Sequence, residues 1–435
     1  MEASPYAMKT LLCAGLLALL HAAAVLAQSD PVLDARARYA LAVQAYNARD
    51  YPVFLQQARA AQALRPTHGG VTYALASALA LTGDTIGAVE VLRHFAKLGY
   101  AADVTSDSDF VGLRHNSAFL QVAALVSKNQ EPLVRSRVAF TLPETDLLTE
   151  GIAYDPRERA FYIGSVRHRK ILRVSGSGAV STFVSAERDS LWAPMGMKVD
   201  AARRALWVAV ATRPQMLGYN AADSGRSGLF RYDLRTGALT GRYLIRPDGA
   251  YHVLGDLTID TRGDVYATDS RAPAIYWIRP SADSLEKLLE SPLLLSAQGL
   301  ALTPDDRWLY VAEYARGILR ANVRTRAIEL LPCPDTVAAL GIDGLYLNDG
   351  KLIGIQNGMT PARVVQLSLG PAGDRVVRVD VLERAHPSHA EPTLGTLVGR
   401  DFYYIANSQW ERFGEEGGVA APDSLKPPTV LRMRL

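Results

Sequence analysis

The sequence predicts an α + β multidomain chain, a short α-helical repeat module followed by a six-bladed β-propeller. Three observations predict it. Residues 30–128 are Ala- and Leu-rich with helical spacing and a 34-residue offset, the rest turns to short β-rich runs, and one phrase recurs six times in those runs. A length of 435 residues exceeds one ordinary core and suits two domains. The expected division is 1–27 signal peptide, 30–128 helical module, 129–136 linker and 137–435 propeller.

At the N-terminus, Lys9 precedes an apolar run over 10–27 that ends Val25-Leu26-Ala27 before Gln28. This is the layout of a cleaved signal peptide, and it predicts a secreted or periplasmic protein with no membrane span after cleavage. Cys13 falls inside the apolar run, which leaves Cys333 as one thiol without a disulfide partner. Net charge is +3, from 47 basic and 44 acidic residues, with no basic block along the chain. That balance carries no electrostatic footprint for nucleic acid.

In the helical part, Tyr-Ala-Leu-Ala occurs at 39–42 and again at 73–76, an offset of 34 residues and the tetratricopeptide period. Asp50 and Asp84 share the offset, each where the turn between paired helices falls. Ala58 and Leu92 keep apolar character in register on the second helix. Phe110, Leu113 and Phe119 then mark a last, degenerate turn and helix. So small an array is expected to lean on the domain that follows, and to offer a docking surface for a protein partner.

The recurring phrase is a Gly, apolar alternation, a turn, and an aromatic-rich strand. It reads Glu150-Gly151-Ile152-Ala153-Tyr154-Asp155 with Phe161-Tyr162-Ile163, and recurs at Met195-Gly196, Gly255-Asp256, Gln298-Gly299, Asp343-Gly344 and, more weakly, Thr393-Leu394-Gly395. The intervals are 45, 60, 43, 45 and 50 residues, a propeller period. The 60-residue interval contains the stretch 213–227, read as a lid over the channel or a packed insertion. The final strand needs a partner, and Arg137–Thr141 is expected to join the last blade and close the ring.

Innermost strands of a propeller line its central channel. The residues opening those strands, Glu150, Met195, Gly255, Gln298, Asp343 and Thr393, are therefore expected at the channel mouth. Residues near the ends of the same phrases, among them Asp269, Glu313 and Asn407, are expected to line it with Asp256 and to contact substrate. Carboxylates converging on one axis repel unless a cation or protons intervene, which argues for a hard, oxygen-preferring metal. His252, His386 and His389 precede channel phrases and are read as loop residues or proton shuttles. Trp410 and Tyr251 are read as blade packing or an apolar wall. No Gly-x-Ser-x-Gly elbow points to a serine nucleophile.

Over roughly residues 147–435 these phrases resemble the six-bladed propellers of the regucalcin, gluconolactonase and strictosidine-synthase-like group, kin to the paraoxonases. The resemblance implies a divalent ion, calcium before others, on Glu150, Gln298 and Asp343. It implies Asp343 as the catalytic residue and a small lactone or ester as substrate. Two positions depart from the pattern: Gln298 stands where the family has Asn, and Gly255 stands where it has another Asn. The alternative reading is a non-catalytic propeller that binds a ligand or a protein.

Overall fold

The computed structural model describes residues 30–185, 188–414 and 417–435; the expected signal peptide lies outside the described residues. These divide into two compact units, one running to Val91 and the other from Leu92 to Leu435.

The first unit is helical: α1 (Pro31–Asn47), α2 (Tyr51–Leu64), α3 (Gly69–Leu81) and the start of α4 (Thr85–Lys97). The two Asp residues of the 34-residue offset do the same job. Asp50 accepts from the N–H of Val53 at 3.2 Å and Asp84 from that of Gly87 at 2.9 Å, so each caps the second helix of its pair. Ala42 and Ala76, one offset apart, are both fully buried. Small side chains there let neighbouring helices approach.

The second unit begins inside α4, whereas the change of period lies at 129–136. The reason is packing. A 3-10 turn (Ser108–Leu113) and α5 (Ser117–Lys128) belong with the propeller. The buried Arg363 donates to Leu98 O at 3.2 Å, the N–H of Ala101 donates to Thr360 O at 2.9 Å, and Asn129 ties Ala96 O to Tyr100 O. Gly99 has a φ of +89°, where a side chain is strained, and a Cβ there would stand 2.2 Å from the Arg363 guanidinium and displace it.

Six four-stranded antiparallel sheets follow. Their innermost strands are Thr149–Asp155, Ala193–Asp200, Leu254–Ile259, Ala297–Leu302, Leu345–Asn348 and Gly395–Val398, and these define blades 1 to 6. Arg137–Thr141 pairs antiparallel with Thr429–Arg434 as the outermost strand of blade 6, so the ring closes as the sequence predicts. Residues just before that strand are latched. Glu383 of blade 5 is fully buried and accepts from the N–H groups of Arg135 and Ser136 and from Ser136 Oγ, all within 2.8 Å. Aliphatic and aromatic side chains fill the gaps between blades, with Trp207, Tyr162, Tyr232 and Tyr266 among the largest buried. No described helix is long and apolar enough to cross a membrane.

Candidate active site at the mouth of the channel

The mouth is built by a repeated irregularity. In blades 1 to 4 the pairing of the inner strand slips by one residue, between Thr149 and Ile152, Pro194 and Met197, Leu254 and Leu257, and Ala297 and Leu300. In blade 5, Asp343 and Gly344 both bond to Ile355; in blade 6, Thr393 and Leu394 both bond to Ile405. Each blade thus carries a β-bulge at the start of its inner strand, which breaks the alternation of side chains and re-aims the extra one.

The glycine that follows answers to the neighbouring blade. A Cβ on Gly151 would lie 2.0 Å from Met195 O, and one on Gly299 would lie 2.3 Å from Leu345 N. The inner strands abut there and leave no volume for a side chain.

Glu150, Gln298 and Asp343, the expected metal ligands, each stand at one of these bulges. Glu150 is 8% exposed, and its Oε2 accepts from the Trp410 indole at 2.6 Å. Asp343 Oδ2 accepts from Asn357 Nδ2 at 2.9 Å, and Asn357 is fixed in turn by Pro392 O and the Tyr314 hydroxyl. Gln298 donates through Nε2 to Ser296 Oγ at 2.9 Å, which leaves Oε1 turned toward the space beside Gly255. Each predicted ligand is oriented by one further residue, as supporting residues orient metal ligands elsewhere.

The electrostatics show strain of one sign. Burial, then the nearby Asp343 carboxylate, pushes Glu150 well above the usual carboxylate range, against the Trp410 hydrogen bond. Burial lifts Asp343 to about 7, with Asp256 and Glu391 adding repulsion and Asn357 opposing. Glu391 is itself raised by burial and accepts from the N–H of Glu411. Arg213 is the cation felt by Glu150; its guanidinium lies 5.6 Å from the Trp410 ring, and its buried Nε makes no hydrogen bond among the described residues.

Asp256 occupies the glycine slot of blade 3, and its Cα packs against Gly196. It is 1% exposed, and neither carboxylate oxygen makes a hydrogen bond among the described residues. Lys198 Nζ lies 3.8 Å from Oδ1 and 5.0 Å from the centre of the Tyr346 ring. Burial raises this carboxyl and Lys198 opposes the rise.

The other expected contact residues serve their own blades. Asp269 accepts from the N–H groups of Val253, Arg271 and Ala272 and holds His252 Nδ1 at 2.7 Å. Glu313 accepts from the N–H groups of Ser296 and Ala315, and Asn407 bonds to Pro427 O and the N–H of Thr429. Short polar side chains at these strand ends tie down the loops around the mouth. The long stretch after blade 2's second strand packs on those loops: Leu217 N donates to Arg167 O and Gln215 Nε2 to Gly414 O.

Among solved structures, the neighbours of this chain include six-bladed propellers of the gluconolactonase kind. A gluconolactonase from Xanthomonas campestris is 16% identical, with 70% of this chain and 94% of that one covered at a TM-score of 0.46. A virginiamycin B lyase from Staphylococcus aureus is 14% identical over 68% and 83%, with a TM-score of 0.46. A luciferin-regenerating enzyme is 13% identical over 70% and 96%, with a TM-score of 0.47. No family model and no curated protein sequence matches the chain.

Sequence reasoning passed over Asn357, Tyr314, Glu391 and Arg213. None stands in the recurring phrase, because each reaches the mouth from a loop or a second strand. Trp410 was legible only as an aromatic; its indole N–H on Glu150 is a tertiary fact. Among the described residues no three His, Cys, Asp or Glu side chains converge as a metal-ligand group. The donor set is instead two carboxylates and one amide carbonyl, all oxygen. That chemistry fits a hard cation completed by water rather than zinc.

Proposed function

We propose that the protein is a metal-dependent hydrolase of a small lactone or ester, working at the channel mouth. The observation that carries the reading is the pair Glu150 and Asp343. They are two oriented carboxylates from different blades, both raised by burial, with Asp343 raising Glu150 further and Asp256 and Glu391 raising Asp343. A divalent cation, calcium first, would be held by Glu150, Gln298 and Asp343, and when bound would supply charge to polarise a carbonyl oxygen. Asp343 takes a proton from water as the water oxygen bonds to the carbonyl carbon. The acyl C–O bond then breaks, and the leaving oxygen takes the proton from Asp343. Asn357 positions Asp343, Trp410 positions Glu150, and Asp256 faces the substrate from blade 3.

Export with cleavage before Gln28, and docking of a protein partner on the helical module, belong to the same reading. Leu33, Leu41 and Tyr46 support the second, since all three are exposed. Calorimetric titration of calcium into chelator-stripped protein is the test, beside a lactone-hydrolysis assay with and without chelator. Wild type should bind and turn over; Asp343→Asn should bind more weakly and lose hydrolysis. No heat and no thermal shift with calcium, magnesium, manganese or zinc would favour the non-catalytic binding propeller instead.

A further inference from the structure

The face of the propeller opposite the mouth carries a second built cavity. Inner and third strands run from the mouth to that face, so the turns after them meet there. Between blades 3 and 4 these turns enclose about 650 Å³, within the range of small-molecule sites. The equivalent gap between blades 2 and 3 encloses only about 170 Å³. There Arg231 fills the space, its guanidinium bonded to Thr240 Oγ1, Thr240 O and Pro280 O.

Cations dominate the larger cavity. Arg262 pairs with Asp260 at 2.7 Å and Asp264 at 3.4 Å, and Arg307 lies 3.9 Å from Asp305. Arg279, Arg324 and Arg326 also line it, and among the described residues no carboxylate lies within 4.0 Å of any of the three. Arg279 lies over the Trp277 ring at 4.9 Å, and Trp277 stacks on Tyr266. All three are exposed, and Asp264, Asp305 and Asp306 share the lining, so water and these carboxylates offset part of the repulsion among five guanidinium groups and a bound anion would offset more.

A second turn in the chain has the same backbone and carries less positive charge. Blade 2 makes the same turn with Asp233-Leu234-Arg235-Thr236-Gly237-Ala238 as blade 4 makes with Asn322-Val323-Arg324-Thr325-Arg326-Ala327. The backbone hydrogen bonds match, though Thr236 Oγ1 also donates to Asp233 in blade 2. In each, the first side chain accepts from the next two N–H donors, Arg235 and Thr236 or Arg324 and Thr325, and the ring closes through the fifth and sixth residues. Gly237 has a φ of +68°, and Arg326 holds the same left-handed conformation at +63°. An arginine there is strained where its twin uses glycine. Blade 4 has also exchanged the twin's carboxylate for the Asn322 amide. One change removes a negative charge and the other adds a positive one, and both residues line the larger cavity.

We propose that this cavity is a binding site for a small phosphate-bearing ligand, with Arg279, Arg324 and Arg326 receiving the phosphoryl oxygens. Guanidinium forks match phosphate geometry and its double charge. The site is separate from the channel mouth and independent of the metal.

Titration of pyrophosphate into chelator-stripped full-length protein at about 150 mM salt, where exposed charges are largely screened, tests it. One saturable site per chain is expected. Arg326→Gly restores the turn of blade 2, so its unliganded melting temperature should rise while its affinity for pyrophosphate falls about tenfold. Arg324→Ala should weaken binding similarly, and Arg235→Ala in the twin turn should leave it unchanged. No saturable heat, or an Arg326→Gly protein that binds as tightly as wild type, would overturn the site. Citrate binding as tightly as pyrophosphate would overturn the phosphoryl assignment.

Discussion

Replacing Glu383 by alanine strips the acceptor from four donors: the N–H groups of Arg135 and Ser136, Ser136 Oγ and the Tyr404 hydroxyl. A hydrogen bond to a charged group contributes about 1.5–3 kcal/mol, and the donors left behind lose their partner in a buried place. The four share one carboxylate and do not add, so the loss should be about 3–5 kcal/mol. At roughly 2 °C per kcal/mol for a unit of this size, the melting temperature should fall by about 6–10 °C. Glu383→Gln keeps the shape but turns an NH2 toward donors, and should cost roughly half as much. The effect is local before it is global, because residues 135–136 run straight into the closing strand Arg137–Thr141. Circular dichroism melts paired with limited proteolysis would read both, with faster cleavage near 129–136 in Glu383→Ala. A Glu383→Ala protein that melts within about 1 °C of wild type, with unchanged proteolysis, would refute the reasoning.

Four further outcomes are expected. In chelator-stripped protein, Asp343 has an ordinary value of 3.8 and a folded value of about 7. Its stabilisation is therefore complete below pH 3.8 and is lost as pH rises through about 7, and saturating calcium should flatten that fall in a thermal-shift pH series. Glu383 has the opposite sign: burial opposes its charge, yet Tyr404, Arg135 and Ser136 hold its carboxyl below 4.5, so the latch should weaken only as acid is added below that value, seen as faster proteolysis at 129–136. Trp410→Phe keeps the ring but removes the N–H from Glu150, and should weaken calcium binding about tenfold in calorimetry with little change in melting temperature. Gly255→Asn has room, since a Cβ there would meet Gln298 Oε1 at 3.8 Å and Ser270 Cβ at 4.0 Å; it should fold normally and bind calcium more tightly than wild type.

The ring was legible because its signal is repetition. Six phrases at similar intervals cannot be met by one strand and a loop, and the unpaired final strand called for Arg137–Thr141 as its partner. The mouth was half legible. Glu150, Gln298 and Asp343 stand at a fixed place in the phrase, so period alone puts each at the head of an inner strand. Asn357 and Trp410 orient two of them from positions with no fixed place, and single-chain periodicity is blind to such residues. Asp269, Glu313 and Asn407 have the right phase along their strands. Phase does not say whether an oxygen turns to the channel or to a nearby donor, and here the described contacts go to backbone and, for Asp269, to His252. The packing division inside α4 was hidden for the same reason, since Arg363 reaches Leu98 across 265 residues of chain.

The slipped residue at the head of each inner strand has a consequence for how such a protein changes over time. A residue in register is answerable to two neighbours, since its replacement moves the packing of its own sheet and of the next. The extra residue stands outside that alternation, so a position with space beside it, such as Gly255, can be rewritten while the ring keeps its shape, whereas Met195 packs in the core and Thr393 bonds to Glu150 O. Met195, Gly255 and Thr393 sit in the same geometric seat as Glu150 and Asp343 and share almost none of their chemistry. The fold therefore separates heritable architecture from local reactivity at single-residue resolution. A substitution at Gly255 should therefore change what the mouth binds while leaving the melting temperature close to that of wild type.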